Sequence, residues 1–569
     1  MPVLRYILIF VLFIYCVAPA SGQSELPGIK GKPAKHDTID PQLEIDYEQV
    51  LRETFLPGYE EANSSSSLME LEANIDRILN DRYIKLSKCA IAVYSLDRRQ
   101  YYYTKNNNKP MTPASATKLL TSFSAIHRLG KDHQVTTEVW AENLPGADSV
   151  LKGNIYLVGH GDCLLSLEDL DQLADMVREA GISKITGSII CDGRFFDGKS
   201  NRFKYSGDFD EVQAMPPITA LGIEKNTVTV LVSSGSRAGV YVDVQLIPNS
   251  ESFSRWITAK VRGYKGKSSI DHNLEFDYGL NSFGGPATVG DMHINAYAQT
   301  EDLAYAMIRS IRISSKMLEN GKQHFTVSGY LTPRRRFSYR YHIKRPELAA
   351  GGAFKERLEA GGITVAGGLV DPLDPDTVEV NNKTYKIAEF SRPLMDLAYL
   401  MNQNSDNFIA EHMFKLNGSY NDSLDNWNGS RNVHREVMEE LNIPYKGCAL
   451  NDGSGLSRRN LLTAETLIRL LEEAYDSRFA AEYDSTLSKA GVNGTLEKRM
   501  KNSNAENNLR GKTGTLRNVS ALTGYVTTAD GEKLAYAFLF NGNYVSHYKK
   551  IEDQLGILLS DFFFIPKGK

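Results

Sequence analysis

The chain has 569 residues, of which 42% are hydrophobic and 24% are charged. This composition is typical of globular proteins that form a core, and the length predicts about two to four domains rather than one. The formal net charge of −4 gives no reason to expect nucleic acid or an anionic membrane surface as a partner, because such partners select strongly basic proteins.

The N-terminus has the pattern of a secretory signal peptide at residues 1–22. A positive start at Arg5 is followed by a short apolar run over residues 6–17 and then by small residues. Cleavage after Ala20 or after Gly22 fits this pattern. A retained membrane anchor is the alternative, but the apolar run is shorter than a membrane span needs. The mature protein is therefore expected to be exported, with at most a peripheral membrane association.

Residues 23–66 are polar and end in a run of serines, which predicts a leader or linker rather than core. Four cysteines follow the signal peptide, an even number that permits disulfide bonds in an oxidising compartment. Free buried thiols are an equally good interpretation, and the spacing matches no zinc site, so that no metal is predicted. These cysteines are Cys89, Cys163, Cys191 and Cys448.

The predicted elements change character twice along the chain. A helix from Leu68 precedes two strands that meet at a turn over 97–99, and a second helix is expected with Thr112 as its N-cap and Pro113 in its first turn. Residues 135–383 read as short strands and turns, with helices predicted only at 167–181, 303–309 and 353–362.

Beyond residue 384, helices return, and the last hundred residues contain three strand-like runs and a final amphipathic helix. We interpret residues 67–134 and 384–569 as one discontinuous domain. The stretch 135–383 is interpreted as one or two inserted β-rich domains, which we call the inserted segment.

Three short motifs carry the chemistry. Ser115 and Lys118 form S-x-x-K where a helix is predicted, S-D-N occupies 405–407 directly before another helix, and K-T-G occupies 512–514 in a strand-like run. Each is weak alone: Ser546 and Lys549 also form S-x-x-K, and a polar residue in a first helical turn is an ordinary finding. Together and in this order they are the motif set of penicillin-binding proteins and serine β-lactamases.

The residue types suit acyl transfer. A serine hydroxyl is a poor nucleophile unless a base lies beside it, and a lysine one helical turn away can serve if it is neutral. Burial and a neighbouring cation lower a lysine pKa, and Lys512 is the expected cation. A helix N-terminus supplies N–H groups for an oxyanion. Asp406 is left out of the predicted catalytic set, because a structural turn role explains it equally well.

Further segments resemble peptidase family S13, the D-alanyl-D-alanine carboxypeptidases and endopeptidases also called class C low-molecular-mass penicillin-binding proteins. The resemblance covers about residues 68–565. It extends the second and third motifs and adds N-D-G-S-G-L-S from 451 and G-V-N-G-T-L from 491. It implies an α+β fold of the serine β-lactamase and DD-peptidase type, an antiparallel sheet flanked by helices, with large domains inserted between the first and second motifs.

The resemblance implies a role for each motif residue. Ser115 would be the acylated nucleophile, Lys118 its base and Ser405 a proton relay. Asn407 would bind the substrate peptide group, and Lys512 would tune the site. Substrate binding is expected from Thr513, Gly514 and Thr515, with the N–H groups of Ser115 and Thr515 forming the oxyanion hole.

The implied substrates are peptidoglycan stem peptides, with β-lactams as covalent inhibitors and no cofactor. A bacterial periplasmic location follows from the family and the signal peptide. Carboxypeptidase and endopeptidase activity share this site and stay open, as does oligomeric state. A β-lactamase and a non-catalytic peptidoglycan-binding module are the alternatives. Cys163 replaces the proline of the G-x-G-D-P pattern at 159–163, which leaves any role of that loop in doubt.

Overall fold

The computed structural model describes residues 68–208, 213–262, 311–374, 383–419 and 426–563. The expected signal peptide, the polar leader and the helix predicted at 303–309 lie outside these residues. Among the described helices, none is both long enough and apolar enough to cross a bilayer.

The helices are α1 (Leu68–Leu79), α2 (Arg82–Lys85), α3 (Thr117–Leu129), α4 (Leu167–Glu179), α5 (Arg202–Ser206), α6 (Pro346–Ala360), α7 (Leu394–Asn404), α8 (Asn407–Ser419), α9 (Asn426–Glu440), α10 (Ala464–Asp476), α11 (Ala480–Ser485) and α12 (Val545–Asp561). The strands outside the inserted segment are β1 (Lys88–Ser95), β2 (Gln100–Lys105), β17 (Tyr385–Pro393), β18 (Ser488–Lys489), β19 (Arg510–Leu516), β20 (Val519–Thr527) and β21 (Lys533–Asn541). The strands of the inserted segment are β3 (Gln134–Ala141), β4 (Val150–Leu151), β5 (Ile155–Gly159), β6 (Lys184–Ile185), β7 (Ile189–Asp192), β8 (Thr227–Ser233), β9 (Asp243–Ile247), β10 (Phe253–Ile257), β11 (Lys260–Val261), β12 (Ile311–Met317), β13 (Gln323–Leu331), β14 (Arg336–His342), β15 (Thr364–Val365) and β16 (Leu369–Val370).

A six-stranded antiparallel sheet in the order β18-β19-β20-β21-β1-β2 forms the centre of the part of the protein outside the inserted segment. Successive side chains of a strand point to opposite faces, and β1 shows this alternation clearly. Ala90 and Ala92 join the core formed with α3 and α10, whereas Ile91 and Val93 join the core formed with α1 and α12. The sheet is thus covered by helices on both faces, and the α+β fold predicted from the sequence is confirmed.

The described part of the inserted segment is rich in β structure, as predicted. It contributes a five-stranded sheet (β16-β7-β5-β3-β17), a four-stranded sheet around β13 and two three-stranded sheets, β15-β6-β4 and β14-β8-β9. Helices α4 and α6 pack on these sheets and share an apolar core with them. Strand β17 lies just beyond the boundary expected at residue 384 and pairs with β3 along its length, so that it belongs to the five-stranded sheet of the inserted segment.

Two of the longer helices differ from the sequence expectation, and the short helix α5 lies where no helix was predicted. Helix α6 begins at Pro346, well before the predicted start at Ala353. Helix α9 was not predicted, because the residues that it buries include Ser430 and His434 rather than a continuous apolar stripe. It packs closely on α8, where a Cβ atom at Gly418 would lie 2.1 Å from the carbonyl oxygen of Asn426.

All four cysteines of the described region are free thiols. Burial raises the pKa of Cys163 and Cys191 well above the usual value for a thiol. The interpretation as unpaired thiols is therefore the one that the structure supports.

Candidate active site

Ser115 lies in a short 3₁₀ turn, Ala114–Ala116, directly before α3. The expected N-cap at Thr112 was wrong, because the chain first turns sharply at Ala114, which has a φ of 49°. Thr112 instead donates its backbone N–H to Asn541 Oδ1 on β21, at 3.0 Å. The segment just before Ser115 is thus attached to the end of β21, an interior strand of the central sheet, as well as to the helix.

Lys118 is fully buried, and its Nζ atom has three oxygen neighbours. It lies 2.9 Å from Ser115 Oγ, 2.7 Å from Asn407 Oδ1 and 2.5 Å from the carbonyl oxygen of Ser454. The first and second motifs, far apart in sequence, therefore meet at one nitrogen atom. A base within hydrogen-bond distance of a serine hydroxyl is the arrangement needed for nucleophilic catalysis.

Burial lowers the pKa of Lys118 to about 8, against the smaller opposing effects of the nearby carboxylates Asp452, Glu411 and Asp406. With this pKa, roughly a tenth of Lys118 is neutral at pH 7, far more than of a lysine with the ordinary pKa of 10.5. The side chain is therefore suited to accept a proton.

The second motif forms the turn between α7 and α8. Ser405 has a left-handed φ of 55° and ends α7, whereas Asp406 accepts a hydrogen bond from the backbone N–H of Ile409 at 3.0 Å. Asp406 also forms an ion pair with Lys225 of the inserted segment. These contacts give Asp406 a structural role in the turn, consistent with leaving it out of the predicted catalytic set.

The third motif lies on β19, as predicted. Lys512 Nζ lies 2.9 Å from both Ser405 Oγ and the carbonyl oxygen of Thr513. Burial, and then the charge of Lys118, lower the pKa of Lys512 well below its usual value. Burial is the largest effect on Lys118 as well. Repulsion between two neighbouring cations is mutual, and the expectation that the charge of Lys512 lowers the pKa of Lys118 stays a prediction.

Gly514 permits close contact between β19 and the backbone on either side of Ser115. A Cβ atom at this position would lie 2.5 Å from the carbonyl oxygen of Pro113 and 3.1 Å from the backbone nitrogen of Ala116. Glycine in a strand often marks such an approach of another backbone. This explains in physical terms why K-T-G ends in glycine.

In the described part of the chain, one edge of β19 is free beyond Gly511. Strand β18 pairs only with Arg510 and Gly511, so that among the described residues no strand covers the segment from Lys512 to Leu516 on this side. Thr513 donates its hydroxyl to Thr495 Oγ1 at 2.8 Å. Two hydroxyl groups therefore lie together beside the exposed backbone of the strand.

The model of the D-Ala-D-Ala carboxypeptidase 3 (S13) family matches residues 71–284 and 284–561. The chain belongs to this family. It is therefore a D-Ala-D-Ala peptidase of the carboxypeptidase and endopeptidase class, and the enzyme class that the family resemblance implied is confirmed.

Similar proteins agree with this membership. A D-alanyl-D-alanine carboxypeptidase of Actinomadura sp. (strain R39) is 29% identical over 517 residues, covering 88% of this chain and 86% of the relative. A D-alanyl-D-alanine carboxypeptidase of Haemophilus influenzae is 23% identical and covers 79% and 84%. The crystal structure of penicillin binding protein 4 from Haemophilus influenzae has a TM-score of 0.63 at 21% identity, covering 86% of this S13 peptidase and all of that chain. That last likeness concerns the fold.

The D-G-S-G-L-S segment of this S13 peptidase forms a loop around Lys118. Besides the Ser454 carbonyl, it presents Gly455, whose Cβ would lie 2.0 Å from the carbonyl oxygen of Ala114. Asp452 holds the loop by accepting the N–H groups of Gly455 and Ser457, at 2.9 and 2.7 Å. The sequence marks this segment through the family resemblance. The structure adds that the segment places the Ser454 carbonyl next to Lys118 Nζ.

Glu411 was missed as a site residue, although it lies in the quoted stretch after S-D-N. It is buried, and it accepts the backbone N–H of Ser454 and the hydroxyl of Tyr205, both at 2.8 Å. Burial raises its pKa. The available signal was the position of Glu411 on α8, one helical turn after Asn407. An acidic side chain that is buried there requires hydrogen-bond or charge partners, which makes it a candidate site residue.

Gln213 was also missed, and no sequence signal singles it out. Its Oε1 atom accepts a hydrogen bond of 2.5 Å from Asn407 Nδ2.

Among the described residues, no group of three or more His, Cys, Asp or Glu side chains is arranged to hold a metal ion. The absence of a cofactor stays a prediction.

Proposed function

We propose that this peptidase cleaves D-alanyl-D-alanine ends or D-alanyl cross-bridges of peptidoglycan through an acyl-enzyme on Ser115. The observation that carries the proposal is the contact of 2.9 Å between Ser115 Oγ and the buried Nζ of Lys118. The roles assigned to Ser115, Lys118, Ser405, Asn407 and Lys512 are part of the proposal.

The neighbours of Lys118 can serve both of its protonation states. They are two carbonyl oxygens and one hydroxyl, and an ammonium can donate to all three, including Ser115 Oγ. Once neutral, the amine keeps two donors for Asn407 Oδ1 and the Ser454 carbonyl and has a lone pair for the proton of Ser115. Burial, which lowers the pKa of Lys118 to about 8, makes this neutral form accessible.

In the proposed acylation, Ser115 Oγ attacks the carbonyl carbon of the penultimate D-alanine as its proton passes to Lys118. The oxyanion forms between the N–H groups of Ser115 and Thr515. Collapse of this intermediate breaks the peptide bond, and the leaving amine takes up a proton through Ser405, which Lys512 holds at 2.9 Å. Water then hydrolyses the ester by the reverse proton transfers.

Substrate binding is proposed along the free edge of β19. An extended peptide can add to such an edge through backbone hydrogen bonds. The hydroxyl of Thr513 would bind the terminal carboxylate, with Gly514 allowing the close approach and Thr515 supplying an N–H group. Asn407 would bind the peptide group on the acyl side of the scissile bond.

β-Lactams are proposed to acylate the same serine. Penicillin binding protein 4 from Haemophilus influenzae has been solved in complex with a novel β-lactam, and that structure has a TM-score of 0.58 over 85% of this chain. The relatives also include bacterial D-alanyl-D-alanine carboxypeptidases. Export to a bacterial periplasm, with at most peripheral membrane association, completes the proposal.

Labelling with a fluorescent penicillin, followed by peptide mapping, tests the nucleophile. We expect one adduct on Ser115 and none in Ser115→Ala, with release of D-alanine lost in the same variant. Ser546→Ala is the matched control, because Ser546 also begins an S-x-x-K sequence but is exposed on α12. Label on another residue, or full D-alanine release by Ser115→Ala, would refute the mechanism.

The lifetime of the adduct separates a penicillin-binding protein from the β-lactamase alternative. A persistent penicilloyl-enzyme supports the proposal, whereas rapid turnover of penicillin supports a β-lactamase. Digestion of cell-wall fragments with the unaltered enzyme then distinguishes release of terminal D-alanine from cleavage of cross-bridges.

A further inference from the structure

Gln213 lies at the active site although it belongs to the inserted segment. Its side chain is half-buried and accepts the Nδ2–H of Asn407. Two residues later, Met215 packs on the small apolar cluster next to the nucleophile, which includes Ala114 and Leu456. Gln213 is thus held beside Ser115 by an apolar anchor as well as by its hydrogen bond.

The orientation of the two amide groups follows from Lys118. Lysine Nζ donates to Asn407, so that Asn407 must present Oδ1 to it and Nδ2 to the other side. Gln213 accordingly presents Oε1 to Asn407. A directed series of hydrogen bonds therefore runs from Lys118 through Asn407 to Gln213, and the far end of this series is a carboxamide NH₂.

This NH₂ group has donors to spare. Among the contacts of the described residues, Gln213 Nε2 has no acceptor, and Asn407 Nδ2 uses one of its two hydrogens on Gln213. Two N–H donors on adjacent amides can bind one carbonyl oxygen, which has two lone pairs. The acyl side of the proposed substrate carries such a carbonyl in the amide that precedes the penultimate D-alanine.

We propose that Gln213 is a substrate-binding residue that, together with Asn407, binds the amide carbonyl on the acyl side of the scissile bond. This inference rests on the proposed function and names a residue that recognises the acyl side of its substrate. Gln213 distinguishes acyl donors that carry this amide from those that lack it, and it leaves the chemistry at Ser115 unchanged.

Two penicillins that differ at this amide test the inference. Benzylpenicillin carries a side-chain amide, whereas 6-aminopenicillanic acid has an amine there and shares the bicyclic core and carboxylate. Second-order rate constants of acylation are measured by intact mass for the unaltered enzyme, Gln213→Ala and Gln213→Glu. The glutamate keeps an acceptor for Asn407 but has no N–H donor. Gln245→Ala, on the exposed side of β9, is the control.

Losing one neutral hydrogen bond predicts a decrease of about 3- to 12-fold for benzylpenicillin in Gln213→Ala, and little change for 6-aminopenicillanic acid. Gln213→Glu should lose at least as much with benzylpenicillin. Equal losses for both compounds would indicate a structural role and overturn the inference, and so would an unchanged benzylpenicillin rate. If the unaltered enzyme forms no adduct on Ser115, the proposed function fails and this inference fails with it.

Discussion

Gly455 lies directly against Ala114, so that a Cβ atom at residue 455 would stand 2.0 Å from the Ala114 carbonyl oxygen and 3.0 Å from the nitrogen of Ser115. From the side of the sheet, Gly514 approaches Pro113 in the same way. The backbone around Ser115 is therefore held between two glycines. It can occupy this position only because neither glycine carries a side chain.

Gly514→Ala should reduce acylation by about 100-fold or more, because a shift of about 1 Å at a reacting group has that effect. The clash is with backbone atoms of residues 113 and 116, which cannot rotate away. Acylation by fluorescent penicillin is the measurement, with circular dichroism to verify folding. Gly235→Ala is the control, since no atom lies within 4 Å of the added carbon. Unchanged acylation in Gly514→Ala would contradict the packing described above.

The rate of acylation should rise with pH until it levels above a value of about 8, the pKa of Lys118. Only the neutral amine can accept the proton of Ser115, and the neutral fraction decreases about tenfold for each pH unit below the pKa. A pH profile of the benzylpenicillin rate constant measures this. A rate that declines from pH 6 to pH 8 would be incompatible with Lys118 as base.

Glu411→Gln should shift that profile to lower pH. The charge of Glu411 raises the pKa of Lys118, so that its removal lowers the pKa and makes the neutral amine available at lower pH. Glutamine can still accept the Ser454 N–H, and the Tyr205 hydroxyl can reverse its direction. The same pH profile is the measurement, and a shift to higher pH would show that Glu411 does not act through its charge.

Thr513→Val should weaken the binding of substrates with a free terminal carboxylate by about 10- to 100-fold, the effect of one hydrogen bond to a charged group. The change is expected mainly in KM for D-alanine release. A substrate whose terminal carboxylate is converted to an amide provides the control. Thr513→Val should change the KM of this amide less than the KM of the acid, which separates carboxylate binding from strand packing. Equal effects on the two substrates would argue against the carboxylate role.

Arg202→Met should destabilise the protein by about 3–5 kcal/mol, because it leaves Asp452 as a buried carboxylate without its cation. The pair is 3.0 Å apart, and the two side chains are 2% and 0% exposed. Arg178→Met is the matched comparison: its pair with Asp175 is 54% and 58% exposed and should contribute about 0–1 kcal/mol. Urea unfolding measures both. Similar values for the two variants would contradict the assigned importance of burial.

The motifs could be located from sequence because each combines residue types that few other environments require. Ser115 and Lys118 are one helical turn apart, and this local spacing alone predicts their contact. K-T-G was recognisable as a strand segment, and a glycine within a strand is compatible with the close approach that Gly514 makes. The α+β fold was implied by the resemblance to family S13 rather than by the element pattern alone.

The remaining site residues depend on tertiary contacts that no local pattern records. Gln213 has no motif around it and becomes relevant only because Met215 anchors it near Ser115. Glu411 looked like an ordinary helical acid until its burial was known. The pKa of Lys118 could not be predicted from the motif either, because it depends on how deeply the side chain is buried and on which carboxylates lie near it.

Four residues of the inserted segment, between positions 202 and 225, each contact a residue outside that segment. Each contact is a hydrogen bond or ion pair, which forms only when both side chains carry the matching chemical group. The pairs are Arg202 with Asp452, Tyr205 with Glu411, Gln213 with Asn407, and Lys225 with Asp406. Chimeras that exchange this stretch between relatives should therefore work only when both members of each pair come from the same parent, and natural relatives should vary at these positions jointly.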